Sequence, residues 1–374
     1  MHFFYHGVKP IILFLILVVV SLIFLSGIFV GHYQLFPFQV LQELKKSLTP
    51  PIPPDFQNET VSISFPIHVE NMEDVIHLRN ELIKYIWVDE NYPLIKYPET
   101  TFDIVDSRYD ELPNLKKIDK LEHKMEYGVN SIIYHFIPEE SNNELIIYHE
   151  GHGGDFYLGK DTIAYFLESG YSVLAFSMPL VGMNDSPKYD DPRLGLINLK
   201  KHSDFAFLES SDFHTAKFFF EPLTVSLNYI DLEYDYDDYY MIGISGGGWT
   251  AVVFPAIDTR IKESYSVSGS VPFIFRNTDK NYGDYEQRLV EMYQIANYFD
   301  LYLMASMGEN RKFVQIFNKF DPCCFAGDYR LYEDDLQKIV NTNGKFEMLI
   351  DETHKEHKIS DFTLNYIKNS IEYK

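Results

Sequence analysis

The chain has 374 residues, which is enough for one large domain with appendages. Its formal net charge of −23, from 55 acidic and 32 basic residues, opposes contact with a phosphate backbone, so we expect no nucleic-acid partner. The two cysteines, Cys323 and Cys324, are adjacent and cannot build a disulfide framework, so we expect two reduced, packed thiols.

An almost wholly apolar run occupies residues 11–30. A helix of that length rises about 30 Å, the thickness of a bilayer core. A cleaved signal peptide is the alternative, but its apolar region is normally shorter, and no small-residue cleavage site is clear after Val30. We predict a tail and single-pass transmembrane anchor over residues 1–31. The few charges that flank this segment orient it only weakly. We take the usual arrangement for a short N-terminal tail, in which the rest of the chain lies on the extracytoplasmic side.

A linker and an N-terminal extension are predicted next. Four of residues 50–54 are prolines, which indicates an extended spacer over residues 32–60. Within residues 61–117, Val61–Phe65 alternates like a strand, and Glu73–Trp87 has apolar residues at helical spacing. We expect this extension to pack on the main domain.

Strands and helices alternate over residues 118–374, the predicted main domain. This order predicts an α/β fold with a mostly parallel central sheet and helices on both faces. Polar stretches near 181–212 and 273–300 are expected to form excursions over an end of the sheet. The predicted strands are Lys120–Tyr127, Ser131–Ile137 (a leading antiparallel pair), Glu144–Tyr148, Tyr171–Ser177, one beginning at Tyr239, Ser264–Ser268, Lys312–Phe317 and Lys345–Ile350, and the predicted helices are Asp161–Ser169, Phe213–Asn228, Trp249–Ile257 and Ser360–Glu372.

A serine lies between glycines where the strand beginning at Tyr239 should turn into a helix. Gly243, Ser245 and Gly247 match the pattern G-x-S-x-G. Glycines two residues either side remove collisions at a sharp turn and tolerate positive φ. Such a turn lifts the serine hydroxyl above the sheet edge and aims the first helical N–H groups at the group under attack. Ser245 is therefore the candidate nucleophile.

Further candidates follow the last two predicted strands, where the carboxyl ends of parallel strands place ligands. Asp321 follows the penultimate strand, and His354 and His357 follow the last one. The chain order is therefore Ser245, then an aspartate, then a histidine. Asp351 is a rival acid, but it lies too close in sequence to the histidines for the usual geometry.

These features make the chain resemble the α/β-hydrolase superfamily across residues 118–374. The resemblance implies hydrolysis or transfer at a carbonyl centre. Ser245 would attack, a histidine would take its proton, and Asp321 would hold the imidazole tautomer. His357 leads directly into the last helix, as in the superfamily's usual placement, and is favoured over His354, which stays the alternative.

The resemblance also implies an oxyanion hole. A glycine-rich loop, residues 151–154, follows the strand Glu144–Tyr148. By the resemblance, the N–H groups of Gly154 and Gly246 are the donors, and one such donor is typically worth about 3 kcal/mol. We interpret His149 and His152 as structural or pocket-lining. Neither a dinucleotide fingerprint nor a phosphate-binding loop occurs, so no cofactor or metal is expected.

The predicted function is that of a membrane-anchored serine hydrolase acting on an ester or amide bond of a small-molecule or peptide substrate. A serine peptidase of the same fold uses the same triad, so the triad does not separate the two activities. A pocket acidic enough to hold a basic peptide end would favour the peptidase, and the two excursions would decide whether such a pocket exists. An acyltransferase stays open because water and another alcohol compete for one acyl-enzyme. The alternative from a different class is a non-catalytic binding or adhesion module, but such proteins usually lose the serine or the histidine.

Overall fold

The computed structural model describes residues 14, 16–22, 65–88, 92–276, 281–341 and 343–372. It divides the chain into two units, Met1–Ile52 and Pro53–Lys374. In the first unit, residues 14 and 16–22 are helical and exposed. Across all described residues, no helix combines the length and the apolarity needed to cross a bilayer. Most of residues 11–30, all of residues 32–60 and most of the strand predicted at Val61–Phe65 lie outside the described residues, so the anchor and the linker stay predictions.

A nine-stranded sheet forms the centre of the described part of the second unit. Its order is β1-β2-β3-β5-β4-β8-β9-β10-β11; the strands from β5 to β11 along this order run parallel, and β1, β2 and β3 pair antiparallel. A separate hairpin pairs β6 with β7. The strands are β1 (Glu99–Thr101), β2 (Leu115–Lys124), β3 (Asn130–Pro138), β4 (Leu145–His149), β5 (Ser172–Phe176), β6 (Lys188–Asp191), β7 (Gly195–Asn198), β8 (Tyr239–Ile244), β9 (Ile261–Val267), β10 (Lys312–Asn318) and β11 (Lys345–Asp351).

Helices cover both faces of this sheet, because the parallel strands are apolar on both sides. Along β4, Leu145 and Ile147 enter one core cluster, whereas Ile146 and Tyr148 enter the other. The first cluster includes side chains of α1 and α3–α7, and the second includes those of α2 and α8. The helices of this unit are α1 (Met72–Trp87), α2 (Lys160–Glu168), α3 (Lys217–Glu233), α4 (Gly246–Ile257), α5 (Val290–Ile295), α6 (Tyr298–Ser306), α7 (Glu333–Val340) and α8 (Asp361–Glu372).

The N-terminal helix α1 packs against the main sheet's helices. Asn71 caps the start of this helix, because its side chain accepts the N–H groups of Glu73 and Asp74. Its last residue, Trp87, donates from Nε1 to Glu221 of α3 at 2.9 Å, and Arg79 donates to the carbonyl of Ala256 in α4 at 2.9 Å. Strand β2 starts at Leu115 and so crosses the predicted boundary at residue 118.

The α/β class and the mostly parallel sheet are confirmed, but several local predictions are wrong. Helix α3 begins at Lys217 rather than Phe213, because Ser210 pairs with Phe213 in a bridge and Glu209 accepts the N–H of Thr215 at 3.0 Å. The sequence also gave no prediction for β1, for α7 or for the β6–β7 hairpin in the first excursion. The second excursion contains α5 and the first three residues of α6.

Candidate active site

Ser245 lies at the turn between β8 and α4. Its backbone has φ 56° and ψ −121°. This conformation is strained for a residue other than glycine, and strained residues of this kind are concentrated at functional sites. A Cβ added to Gly243 would lie 2.0 Å from the carbonyl oxygen of Gly247, and one added to Gly247 would lie 2.0 Å from that of His149. This strand-to-helix turn, residues 243–247, is called the elbow below. It requires both glycines, for the steric reason that the motif implies.

His357 and Asp321 form the pair that the sequence favoured. Nδ1 of His357 lies 2.7 Å from Oδ2 of Asp321, and Asp321 is buried. Strands β10 and β11 are neighbours, and Asn318 pairs with Asp351 at their ends. The loop that carries Asp321 (the acid loop) and the loop that carries His357 therefore leave the sheet side by side. A carboxylate only accepts, so Nδ1 carries the proton and Nε2 of the neutral ring is left with its lone pair.

Backbone and side-chain donors hold Asp321 in place. Its Oδ1 accepts the N–H groups of Cys323 at 2.7 Å and Cys324 at 3.3 Å, and its Oδ2 accepts the hydroxyl of Ser268 at 3.1 Å. The Nδ2 group of Asn318 lies 3.4 Å from Oδ2 of Asp321 and donates to the carbonyl of Lys358 at 2.8 Å. Asn318 therefore ties the acid loop to the segment that carries His357.

The two cysteines are bonded to each other, and the prediction of two reduced thiols is wrong. The physical reason lies in the turn just described. Asp321 accepts the N–H groups of both Cys323 and Cys324, so the two bonded residues lie in one turn directly after the acid.

His354 occupies a different environment from His357. Its Nε2 lies 3.4 Å from Oδ2 of Asp351, and its Nδ1 accepts the N–H of Glu356 at 3.2 Å. Asp351 is buried and holds the end of β11 to α8, because it accepts the hydroxyls of Ser360 and Thr363. His354 therefore contacts Asp351, whereas the histidine that contacts Asp321 is His357.

Ser245 and His357 line one cavity of about 400 Å³. It opens at the carboxyl ends of β4 and β8, which pair through His149 and Gly243. The remaining lining residues come from the ends of β4 and β8, from the segment between β4 and α2, from the start of α2 and from the segment after His357. They are Tyr148, Glu150, Gly151, Gly153, Leu158, Gly159, Asp161, Thr162, Ile244, Lys358 and Ile359.

The glycine-rich loop approaches Ser245 through Gly151 rather than Gly154. A Cβ added to Gly151 would lie 2.7 Å from Cβ of Ser245 and 3.3 Å from its Oγ. A Cβ added to Gly154 would instead meet Leu158, and Gly154 does not line the cavity. Gly246 is adjacent to Ser245 and opens α4, so its N–H has no intrahelical acceptor.

Glu150 is a cavity residue that the sequence interpretation missed. Its carboxylate accepts the hydroxyl of Tyr148 at 2.5 Å and the N–H of Gly151 at 2.8 Å. Burial raises the pKa of this carboxyl, while these hydrogen bonds and nearby His357 act to lower it. The available signal was its position: it directly follows β4, at the edge where the other candidates lie. His149, which precedes Glu150, is also buried; its Nδ1 contacts the Glu150 carbonyl at 2.9 Å, and burial lowers its pKa to about 4.

No family model and no curated protein sequence matches the chain. Solved structures do. The methylesterase BT1017 superposes with a TM-score of 0.53 at 15% identity, over 81% of this chain and 64% of that one. An acetyl xylan esterase from Paenibacillus sp. R4 matches with a TM-score of 0.49 at 15% identity, over 86% of this chain and 97% of that one. The architecture agrees with the α/β-hydrolase fold.

Proposed function

We propose that the protein is a serine ester hydrolase that works through an acyl-enzyme on Ser245. The observation that carries this proposal is that Ser245 and His357 line one cavity, with Asp321 2.7 Å behind the imidazole. Nε2 of His357 takes the Ser245 proton as Oγ attacks the carbonyl carbon, and returns it to the leaving alcohol. Water then repeats the sequence on the acyl-enzyme. Asp321 fixes the tautomer and stabilises the imidazolium.

We assign two backbone N–H groups to the oxyanion hole. Gly246 supplies the first, since its N–H lies at the start of α4. The N–H of Gly151 is engaged by Glu150, so the next N–H of the loop, that of His152, is our second donor. Gly154, the donor implied by the resemblance, packs against Leu158 instead.

The cavity supports a short acyl group. Its volume of about 400 Å³ lies near the lower end of the range for ligand pockets, about 300–1,000 Å³. The methylesterase that shares this fold is named for an ester substrate, which supports the choice of an ester over an amide. The carboxylates of Glu150 and Asp161 also line the cavity, and a basic peptide end would suit them, so the peptidase alternative belongs in the test.

The test compares nitrophenyl acetate, butyrate and palmitate with a nitroanilide of arginine, using the full-length chain. We expect hydrolysis of the two short esters, and kcat lower by about 10³-fold or more in Ser245→Ala and His357→Ala. His354→Ala is the matched control and should stay within about threefold of the parent. Preferred cleavage of the anilide would favour the peptidase. A folded protein inactive on every substrate would favour the binding module.

We also propose that residues 11–30 anchor the protein in a membrane with the second unit on the extracytoplasmic side. The support is the apolar sequence itself, together with the helical, exposed apolar side chains at residues 16–22. The full-length chain should stay in the membrane fraction after alkaline carbonate extraction, and a chain lacking residues 1–31 should leave it. Release of both proteins would contradict the anchor.

A further inference from the structure

Three metal-ligating side chains converge behind the elbow: His152, His202 and Glu286. Nε2 of His152 lies 3.2 Å from Nδ1 of His202 and 2.9 Å from Oε1 of Glu286. Nδ1 of His202 lies 2.9 Å from Oε2 of Glu286. Glu286 and His202 are buried, and the side chain of His152 is 27% exposed, which leaves a path from solvent to the cluster.

The opposite ring nitrogens of both histidines face acceptors. Nε2 of His202 donates to the carbonyl oxygen of Pro179 at 2.8 Å, so this nitrogen carries a proton. Nδ1 of His152 lies 3.4 Å from Oδ2 of Asp284, which favours a proton there as well. In the neutral rings, the lone pairs of the remaining nitrogens then point towards each other and towards the Glu286 carboxylate. This arrangement repels unless a proton or a metal cation lies between them.

We propose that this cluster binds a divalent transition-metal ion, for which Zn²⁺ is the best match. Tetrahedral Zn²⁺ with bonds of about 2.0–2.1 Å holds its ligand atoms about 3.3 Å apart. The two histidine nitrogens are 3.2 Å apart, and each lies 2.9 Å from one oxygen of Glu286, Oε1 for His152 and Oε2 for His202. Two histidines and one glutamate are an established zinc ligand set that leaves a fourth position open. Metal-bound histidines commonly donate their other N–H to a carbonyl or a carboxylate, as Pro179 and Asp284 accept here.

The three donors come from separate parts of the chain. His152 belongs to the loop after β4, His202 to the first excursion and Glu286 to the second. The ring of His152 also lies against the elbow, since a Cβ added to Gly246 would be 2.4 Å from its Cε1. A bound ion would therefore fasten both excursions to the segment beside Ser245. Metal binding does not depend on the proposed hydrolysis.

The test is metal binding by the full-length chain after treatment with a chelator and removal of that chelator. We expect about one equivalent of Zn²⁺ by calorimetry and by elemental analysis. His202→Gln and Glu286→Gln should weaken binding by more than about 100-fold, and Asp284→Asn by about tenfold. Co²⁺ in the parent protein should give the visible absorption of a tetrahedral nitrogen and oxygen site, which decides the question even if a ligand variant fails to fold.

Two control variants separate this site from other donors. His214→Gln removes a histidine that pairs with Glu209 at 3.0 Å and, among the described residues, belongs to no group of three possible metal ligands, so this variant should bind Zn²⁺ like the parent. His357→Ala removes the histidine near Cys323 and Cys324, the other group of donors close enough to share an ion among the described residues, and should also bind normally. Absence of stoichiometric binding, or binding that survives His202→Gln and Glu286→Gln, would overturn the proposal.

Discussion

A methyl group added at Gly151 should disable the proposed nucleophile without removing any polar group. The added Cβ would lie 2.7 Å from Cβ of Ser245 and 3.0 Å from the carbonyl oxygen of Ile244. Carbon atoms pack at about 3.5–4.0 Å, so Ser245 and the loop must separate by about 1 Å. A displacement of that size at a reacting atom can cost about 100-fold in rate. We expect kcat/KM for Gly151→Ala to fall about 10- to 100-fold.

Gly153→Ala is the matched control, since it lies in the same loop and also lines the cavity. Its Cβ would lie 3.4 Å from the end of the Leu158 side chain, which can move. Neither glycine has the positive φ that would strain alanine. Steady-state hydrolysis of nitrophenyl acetate should therefore stay within about threefold of the parent for this variant.

Urea unfolding of both variants separates a local effect from a global one. Overpacking at Gly151 should cost about 1–3 kcal/mol in the free energy of unfolding and leave a folded protein to assay. Full activity in folded Gly151→Ala would refute the placement of this loop beside Ser245. Equal losses in Gly151→Ala and Gly153→Ala would refute the steric argument.

Three further predictions follow from buried contacts. Asp321→Asn should lower kcat by about 10⁴-fold because the imidazole tautomer is no longer fixed, whereas Asp351→Asn should lower the free energy of unfolding with little change in kcat; steady-state kinetics and urea melts of both variants check this. Burial raises the pKa of Glu221, but hydrogen bonds led by that from His123 outweigh it and lower the pKa to about 2. The lowered pKa contributes about 3 kcal/mol to the free energy of unfolding above pH 4.5, and this contribution is lost as the pH falls towards 2. In acid unfolding curves, the difference in stability between the parent and Glu221→Gln should therefore shrink across that pH range. A difference that stays constant would contradict this. Gly247→Ala should fail to fold or be strongly destabilised in thermal melts, since its Cβ would lie 2.0 Å from a carbonyl oxygen, and a parent-like melting temperature would contradict the elbow geometry.

The sheet and the elbow could be predicted because their signals are local. The spacing of apolar residues and the composition of short segments locate β4, β8 and β10, and the glycines around Ser245 mark one sharp turn. The pairing of His357 rather than His354 with Asp321 followed the usual placement before the last helix. The role of either residue in catalysis stays a prediction.

Features that depend on distant contacts could not be predicted. Helix α6 is buried on every side, so its sequence shows no amphipathic period. Nothing in residues 151–154 distinguishes the glycine that meets Ser245 from the one that meets Leu158. The metal-ligand cluster joins His152, His202 and Glu286, and no short motif contains all three.

The central claim, that Ser245 is a nucleophile activated by His357, is tested most directly by covalent labelling. The full-length chain would be treated with a fluorophosphonate, and the adduct located by mass spectrometry in the parent, Ser245→Ala, His357→Ala and His354→Ala. We predict an adduct on Ser245 that is absent in Ser245→Ala, nearly absent in His357→Ala and undiminished in His354→Ala. A folded parent protein that takes no label at Ser245, or labelling that depends on His354 instead of His357, would contradict the proposed mechanism.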